Sequence, residues 1–303
     1  MHADLETLAI ALYVKVDDDL KSRPELAKPR RSVGITPKLT DAELVTMAVM
    51  QVLLNIRSER RWLRYMGKHL RHLFPYQPKQ PGYNKRLRAA LPLIKHTIRA
   101  LAVDTDFWYD NHWILDSTPV ECGRSRPTVE RSEAAGWATY GYCASHSRLF
   151  WGLRLHLITT PSGLPVAYAL AGAKTDERDT ALDMIALNPD LHRPGQILMG
   201  DKGYRRASFE TELTEAGITF IRPTYGNETP RPHQRFLRPF RQIIESVNQT
   251  LKAQLDLERH GGRTRPGVCA RVLQRLLALT AAIWHNETTS QPGPARSLLT
   301  YDH

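Results

Sequence analysis

The residues of this sequence that can do chemistry are carboxylates, and three of them stand in unusual places. Asp116 sits in Trp-Ile-Leu-Asp-Ser-Thr-Pro-Val, with apolar residues on both sides. Burying an ionised carboxylate in a strand is costly unless it is paired or bound to a metal. Asp201 ends a second apolar run, in Leu-Met-Gly-Asp-Lys-Gly-Tyr, where nearby glycines allow a sharp exit from the strand. Sites in open α/β sheets form just outside the carboxyl ends of strands, so two strand-end aspartates can share divalent cations. The plainer alternatives are that Asp116 caps the Ser-Thr-Pro turn and that Asp201 is only a turn residue. The third acid, Glu245, falls on a helix. Arg241, Glu245, Asn248 and Lys252 step by four, three and four and line one face. The apolar stripe Phe240, Ile244, Val247 and Leu251 is offset by one residue, which puts Glu245 at the rim of the buried face. Its plainer alternative is a helix ion pair with Arg241. Hard oxygen ligands suit Mg²⁺ or Mn²⁺ better than zinc. Two such ions about 4 Å apart can activate a nucleophilic oxygen and stabilise the leaving oxygen of a phosphodiester. His146, His156 and His260 form no metalloprotease-like pair and read as structural, and no Walker loop, dinucleotide glycine motif or nucleophile elbow is present.

The elements that must position these acids can be read in outline. A chain of 303 residues is long enough for one large domain or two ordinary ones. The net charge of +11 suits a polyanionic partner, and its distribution is uneven. Between Ile56 and Arg99 twelve Lys and Arg face the single acid Glu59, while the rest of the chain balances 30 basic against 30 acidic residues. Such a concentrated segment reads as a phosphate-binding surface. Residues 1–105 read as an all-helical basic domain: a short apolar segment at 5–13, a Pro- and Arg-rich connector at 22–38, a capping box at Thr40 and Glu43 opening a helix over 44–54, and helices at 61–74 and 83–103. From residue 106 the texture changes to strands at 113–120, 196–199 and 219–222, a hairpin over 149–171, and helices at 176–187, 208–216, 236–257 and 268–284. That order describes an α/β domain with a mixed sheet, running to residue 287, with 288–303 as a disordered tail. Asp176 reads as a helix N-cap rather than a ligand. Trp137 and Trp151 read as core residues. The apolar run 44–54 falls far short of the ~20 residues that span a bilayer, and no basic flank suggests a signal peptide. Three scattered cysteines fit reduced thiols, so the expected setting is cytoplasmic and away from membranes.

Taken together, three blocks resemble the DDE transposases of bacterial insertion sequences. They are Leu-Asp-Ser-Thr-Pro-Val around Asp116; the stretch from Tyr140-Gly-Tyr-Cys through Phe150-Trp-Gly-Leu-Arg-Leu-His to Gly-Asp-Lys-Gly-Tyr at Asp201; and Arg241-x3-Glu245-x6-Lys252. The last matches a family signature of Tyr-x2-Arg-x3-Glu-x6-Lys, except that Arg238 replaces the tyrosine. The resemblance implies a ribonuclease H-like catalytic domain over 106–287. It also implies that Asp116, Asp201 and Glu245 are catalytic and hold two Mg²⁺ or Mn²⁺ ions, and that Arg241 and Lys252 contact the phosphate backbone or orient Glu245. With the basic segment it implies a DNA partner at transposon ends and target, met by Arg57, Arg60, Arg61, Arg64, Lys85, Arg86 and Arg88. Pairing of two ends would need a homodimer or larger assembly on nucleoid DNA. The implied activity is cleavage and strand transfer. The alternatives are a ribonuclease H-like nuclease without strand transfer, and a non-catalytic, domesticated DNA-binding protein. The 44 residues from Asp201 to Glu245 leave no room for the large β insertion of some relatives.

Overall fold

The computed structural model describes residues 3–26, 37–143, 147–191, 193–226, 228–229 and 237–301. In chain order it begins with α1 (Ala3–Ser22), α2 (Asp41–Leu53), α3 (Glu59–His69), α4 (Gln80–Ala89), α5 (Leu91–Val103), β1 (His112–Gly123) and α6 (Arg126–Arg131). There follow β2 (Thr139–Cys143), β3 (Arg148–Thr159), β4 (Pro165–Gly172), α7 (Glu177–Ala186) and β5 (Ile197–Met199). The chain closes with α8 (Ala207–Glu215), β6 (Thr219–Ile221), α9 (Leu237–Gln249) and α10 (Arg265–Thr288). They group into two compact units: Met1–Leu101 together with Ala253–His303, and Ala102–Lys252.

The first unit is helical. The capping box expected at Thr40 opens α2: the Glu43 amide donates to Thr40 Oγ1 at 3.0 Å, and the Thr40 amide to Glu43 Oε2 at 2.6 Å. The single helix expected over 83–103 is two helices joined at Ala90. Pro92 takes a place in the first turn of α5, where its missing N–H breaks no helical bond. The sequence reading places α10 in the catalytic domain; its contacts are with α1, α2 and α4 of the first compact unit. Its residues from Leu276 to Asn286 are buried all round, and such a helix needs neighbours on every side. Gln274 Nε2 donates to the Ala48 carbonyl at 2.8 Å, fixing it against α2. By length and composition α10 is also apolar enough to cross a membrane, which the 44–54 run is not, and 83% of its most apolar stretch is buried within the fold. Within the expected tail, Leu299–Tyr301 forms a short 3-10 turn. Tyr301 is buried there, its hydroxyl 2.7 Å from both His285 Nδ1 and Asn286 Oδ1.

The second unit is a curled mixed sheet ordered β2-β3-β1-β5-β6, with β4 also pairing to β3. The β1–β3, β2–β3 and β3–β4 pairs are antiparallel, and β1–β5 and β5–β6 are parallel. This mixed α/β arrangement is a ribonuclease H-like fold. The hairpin expected over 149–171 is β3 and β4, while β2 and α6 were not anticipated. Two glycines break the alternation of Tyr140-Gly-Tyr-Cys and its partner stretch, which hides β2 from a period-two reading. The long helix expected over 236–257 is α9 followed by a π-helical turn, Thr250–Gln254, and it ends where Asp256 takes φ 55°. Residue 236 lies outside the described residues.

Candidate active site

Parallel pairing of β1 with β5 runs from His112 opposite Ile197 to Ile114 opposite Met199. Two residues beyond that last pair come Asp116 and Asp201, so the register carries both aspartates to the same end of two neighbouring strands. β5 stops at Met199, where its pairing with β1 ends. Gly200 sits close under two rings at this exit: a Cβ there would meet the Phe220 ring at 3.1 Å and the Tyr204 ring at 3.3 Å, so one of them would have to give.

Asp116 is the most perturbed acid of the site. Its Oδ2 accepts from Asn248 Nδ2 at 2.7 Å, and the Ser117 amide also donates to it. Burial pushes its carboxyl up to about 7. The negative charges of Asp201 and Glu177 push the same way, while the Ser117 amide and Lys252 oppose them. Asp201 is exposed and caps the Lys202–Tyr204 turn, its Oδ1 accepting from the Gly203 amide at 2.7 Å. Tyr204 is 1% exposed and its hydroxyl has no hydrogen-bond partner among the described residues. Burial raises its pKa, and Glu177, Asp116 and Asp201 raise it further.

Helix α9 packs on β1, with Ile244 and Val247 buried and the Phe240 ring stacked on His112 at 6.2 Å. The residue it turns toward Asp116 is Asn248. Glu245, one turn earlier, keeps 65% of its side chain exposed and lies 3.7 Å from Arg241. Among the described residues no three His, Cys, Asp or Glu side chains stand close enough to hold one ion together. The structure therefore brings Asp116 and Asp201 to adjacent strand ends and leaves Glu245 outside that pair. Asp116 and Asp201 still fit a hard cation: two oxygen donors, one desolvated and raised by a like charge, are what a divalent ion would relieve.

The transposase DDE domain family matches residues 110–281, more than half of the chain. The chain belongs to that family. Among curated proteins none matches it. The match begins just ahead of β1 and extends into α10, so in this DDE transposase the family region draws on both compact units.

The basic residues of the transposase divide by what they touch. Arg60, Arg61 and Arg64 are exposed on α3 and Lys85 on α4. Arg86 is committed elsewhere: it donates to the Leu39 carbonyl at 2.6 Å and pairs with Asp41 at the start of α2. Arg57 pairs with Asp256. Arg88 is half-buried, as is Lys252 on the π turn, and Arg241 is exposed beside Glu245. His156 is fully buried in β3, with burial and the Arg154 charge lowering it to about 4, and His260 is buried with Nδ1 accepting from the Gly262 amide at 3.0 Å. His146 lies outside the described residues. Trp151 is core, as expected, and Trp137 is half-buried. Asp176 is the N-cap of α7, accepting from the amides of Arg178 at 2.8 Å and Asp179 at 3.4 Å. Arg178 also donates to this carboxyl and holds it well below the usual carboxylate range. Asn248 and Tyr204 escaped the sequence reading as site residues. Asn248 already lay on the Glu245 face, and its step of three was the available signal.

Proposed function

We propose that this transposase binds the terminal inverted repeats of an insertion sequence, cleaves the DNA at its ends and joins the freed 3′ ends to target DNA. What supports this most is the β1–β5 register, which sets two aspartates at neighbouring strand ends in a chain of this family. Asp116 and Asp201 would hold Mg²⁺ or Mn²⁺, with Glu245 as a further ligand. The ions would supply Lewis-acid stabilisation of the attacking and leaving oxygens. The chain's own residues do the rest. Asn248 holds one oxygen of Asp116 and so fixes the carboxylate plane. The Lys252 charge favours its ionised form. Arg241 on α9 and Lys252 on the turn after it would meet backbone phosphates. The exposed arginines of α3 give a sequence-independent grip on the duplex, and pairing two ends requires two or more protomers.

Incubation of the full chain with end-containing duplex, target plasmid and Mg²⁺ tests this. Strand-transfer product is expected with wild type and none with EDTA or Asp201→Asn. Cleavage without joining would reduce the assignment to a nuclease. Binding without cleavage would leave a DNA-binding protein.

A further inference from the structure

The helical unit buries a cation that no carboxylate pairs with among the described residues. Arg275 lies on α10, one turn after Arg271, and is 5% exposed. Its Nη1 donates to the Arg271 carbonyl at 2.8 Å, and its Nε has no hydrogen-bond partner among the described residues. The nearby acids are committed elsewhere: Asp256 pairs with Arg57, and Glu59 with Arg271. Burial lowers the Arg275 pKa to about 9, the Arg271 and Arg57 charges push the same way, and Asp256 opposes them. Burying a guanidinium in this state is costly, and an anion relieves the cost.

The second observation is a cleft that Arg275 lines. Its charged lining is Arg57, Arg271, Arg275 and Asp256, all within the helical unit, so cations outnumber the acid. The cleft has a volume of about 10 Å³. That is room for about one water-sized group. A nucleotide does not fit, whereas one oxygen of a phosphate does, with the rest of the phosphate left outside. Arg57 keeps 48% of its side chain exposed, and the chain runs from it into α3, where Arg60, Arg61 and Arg64 are exposed.

We propose that this cleft seats one phosphate of the DNA backbone between the exposed Arg57 and the buried Arg275, so that α10 supplies a DNA contact as well as closing the helical core. The inference rests on the reading of this transposase as a DNA-binding protein and extends it to a residue far outside the basic segment. A phosphate oxygen gives Arg275 the acceptor it lacks, and guanidinium groups match phosphate oxygens in geometry and charge. In the free chain Asp256 holds Arg57, and the phosphate competes for the same guanidinium.

Fluorescence anisotropy of the full chain on end-containing duplex in metal-free buffer, over a salt series, tests this beside urea denaturation without DNA. Arg275→Met keeps the bulk and removes the charge. It should bind duplex about tenfold more weakly and flatten the salt slope by about 0.9. Its stability without DNA should stay level or rise, because an unpaired buried charge is gone. Wild-type affinity and slope in Arg275→Met would overturn the phosphate seat and leave the DNA-binding reading standing. Weaker binding with lowered stability would make Arg275 a structural cation and overturn it too. If wild type itself binds no duplex at low salt, the DNA-binding reading fails and the seat with it. Should Arg275→Met not fold, Asp256→Asn decides. Asn is at home at this position, where φ is 55°, and it removes the charge that competes for Arg57. Duplex binding should then tighten several-fold, whereas unchanged or weaker binding overturns the seat.

Discussion

Glu59 of the helical unit and Asp116 of the α/β unit are both acids drawn out of water, and their surroundings are opposite. Glu59 faces the Arg271 guanidinium and accepts from Gln80 Nε2 at 2.5 Å and Asn84 Nδ2 at 2.7 Å. Asp116 accepts from a side-chain amide and a backbone N–H, and two of the charges that act on it most are other acids. A buried acid with a cation and a full set of donors is scaffold. An acid half-buried among neutral donors and like-charged neighbours, opposed only by the weaker pull of Lys252, is held at a cost that a further positive group relieves. That contrast, rather than burial alone, separates the scaffold carboxylate from the candidate catalytic one.

The largest effect expected from the contrast is on activity. Asp116→Asn keeps the shape and the Asn248 contact but removes the charge, so end cleavage should fall by about 1,000-fold or more. The fold should survive, with DNA binding in metal-free buffer near wild type. Gel assays of cleavage and fluorescence anisotropy on the same preparations check both halves. Cleavage within a few-fold of wild type would remove Asp116 from the chemistry.

Next comes pH. The Asp116 carboxyl rises from 3.8 to about 7 on folding, so the native state holds a proton that the unfolded chain has lost between those values. Stability from this group therefore declines as pH rises through that window. His156 works the other way: its folded pKa of about 4 lies below 6.5, so its contribution is lost as pH falls. The two partly cancel in wild type, and Asp116→Asn isolates the histidine. In metal-free urea denaturation the variant's advantage over wild type should grow from pH 4 to pH 8. It should reach at most about 4 kcal/mol, at about 1.4 kcal/mol per unit. A difference that does not change with pH would mean that Asp116 ionises freely in the fold.

Glu59 supplies the counterpart. Glu59→Leu strands the Arg271 guanidinium, 13% exposed, and should destabilise the protein by about 3 kcal/mol. Differential scanning calorimetry reads this, and Mn²⁺ binding should not change. A loss of metal binding with intact stability would erase the distinction between the two acids.

Much of this was legible in the sequence, for reasons specific to each part. Asp116 and Asp201 announce themselves because an acid flanked by Ile-Leu or Leu-Met has few ordinary explanations. The β1 and β5 strands around them were found for the same reason. The Thr40–Glu43 box fixed a helix start by local hydrogen bonding alone. What could not be read depends on long-range packing. α10 follows α9 in the chain but completes the helical unit, so residues 1–105 alone would lack the helix that closes their core, and that segment is not expected to fold by itself.

The same opposition extends to cations and gives the smallest effect. Arg86 is tied to Asp41 and the Leu39 carbonyl, whereas Arg60, Arg61 and Arg64 are exposed on α3 with no carboxylate partner among the described residues. Each phosphate neutralised contributes about −0.9 to the slope of log affinity against log salt concentration. Replacing the three α3 arginines with glutamine should therefore flatten that slope by up to about 2.7, nearly uniformly across DNA sequences. Arg86→Gln should leave the slope alone and lower stability by about 1 kcal/mol, since it breaks a charged hydrogen bond at a helix start. The sequence reading counted Arg86 with the phosphate contacts, so this pair of variants decides between position in a basic segment and freedom of the side chain. If Arg86→Gln flattens the slope as much as any α3 arginine does, the Asp41 pair opens when DNA binds. The line between scaffold cations and DNA-facing cations would then have to be drawn from the complex rather than from the free chain.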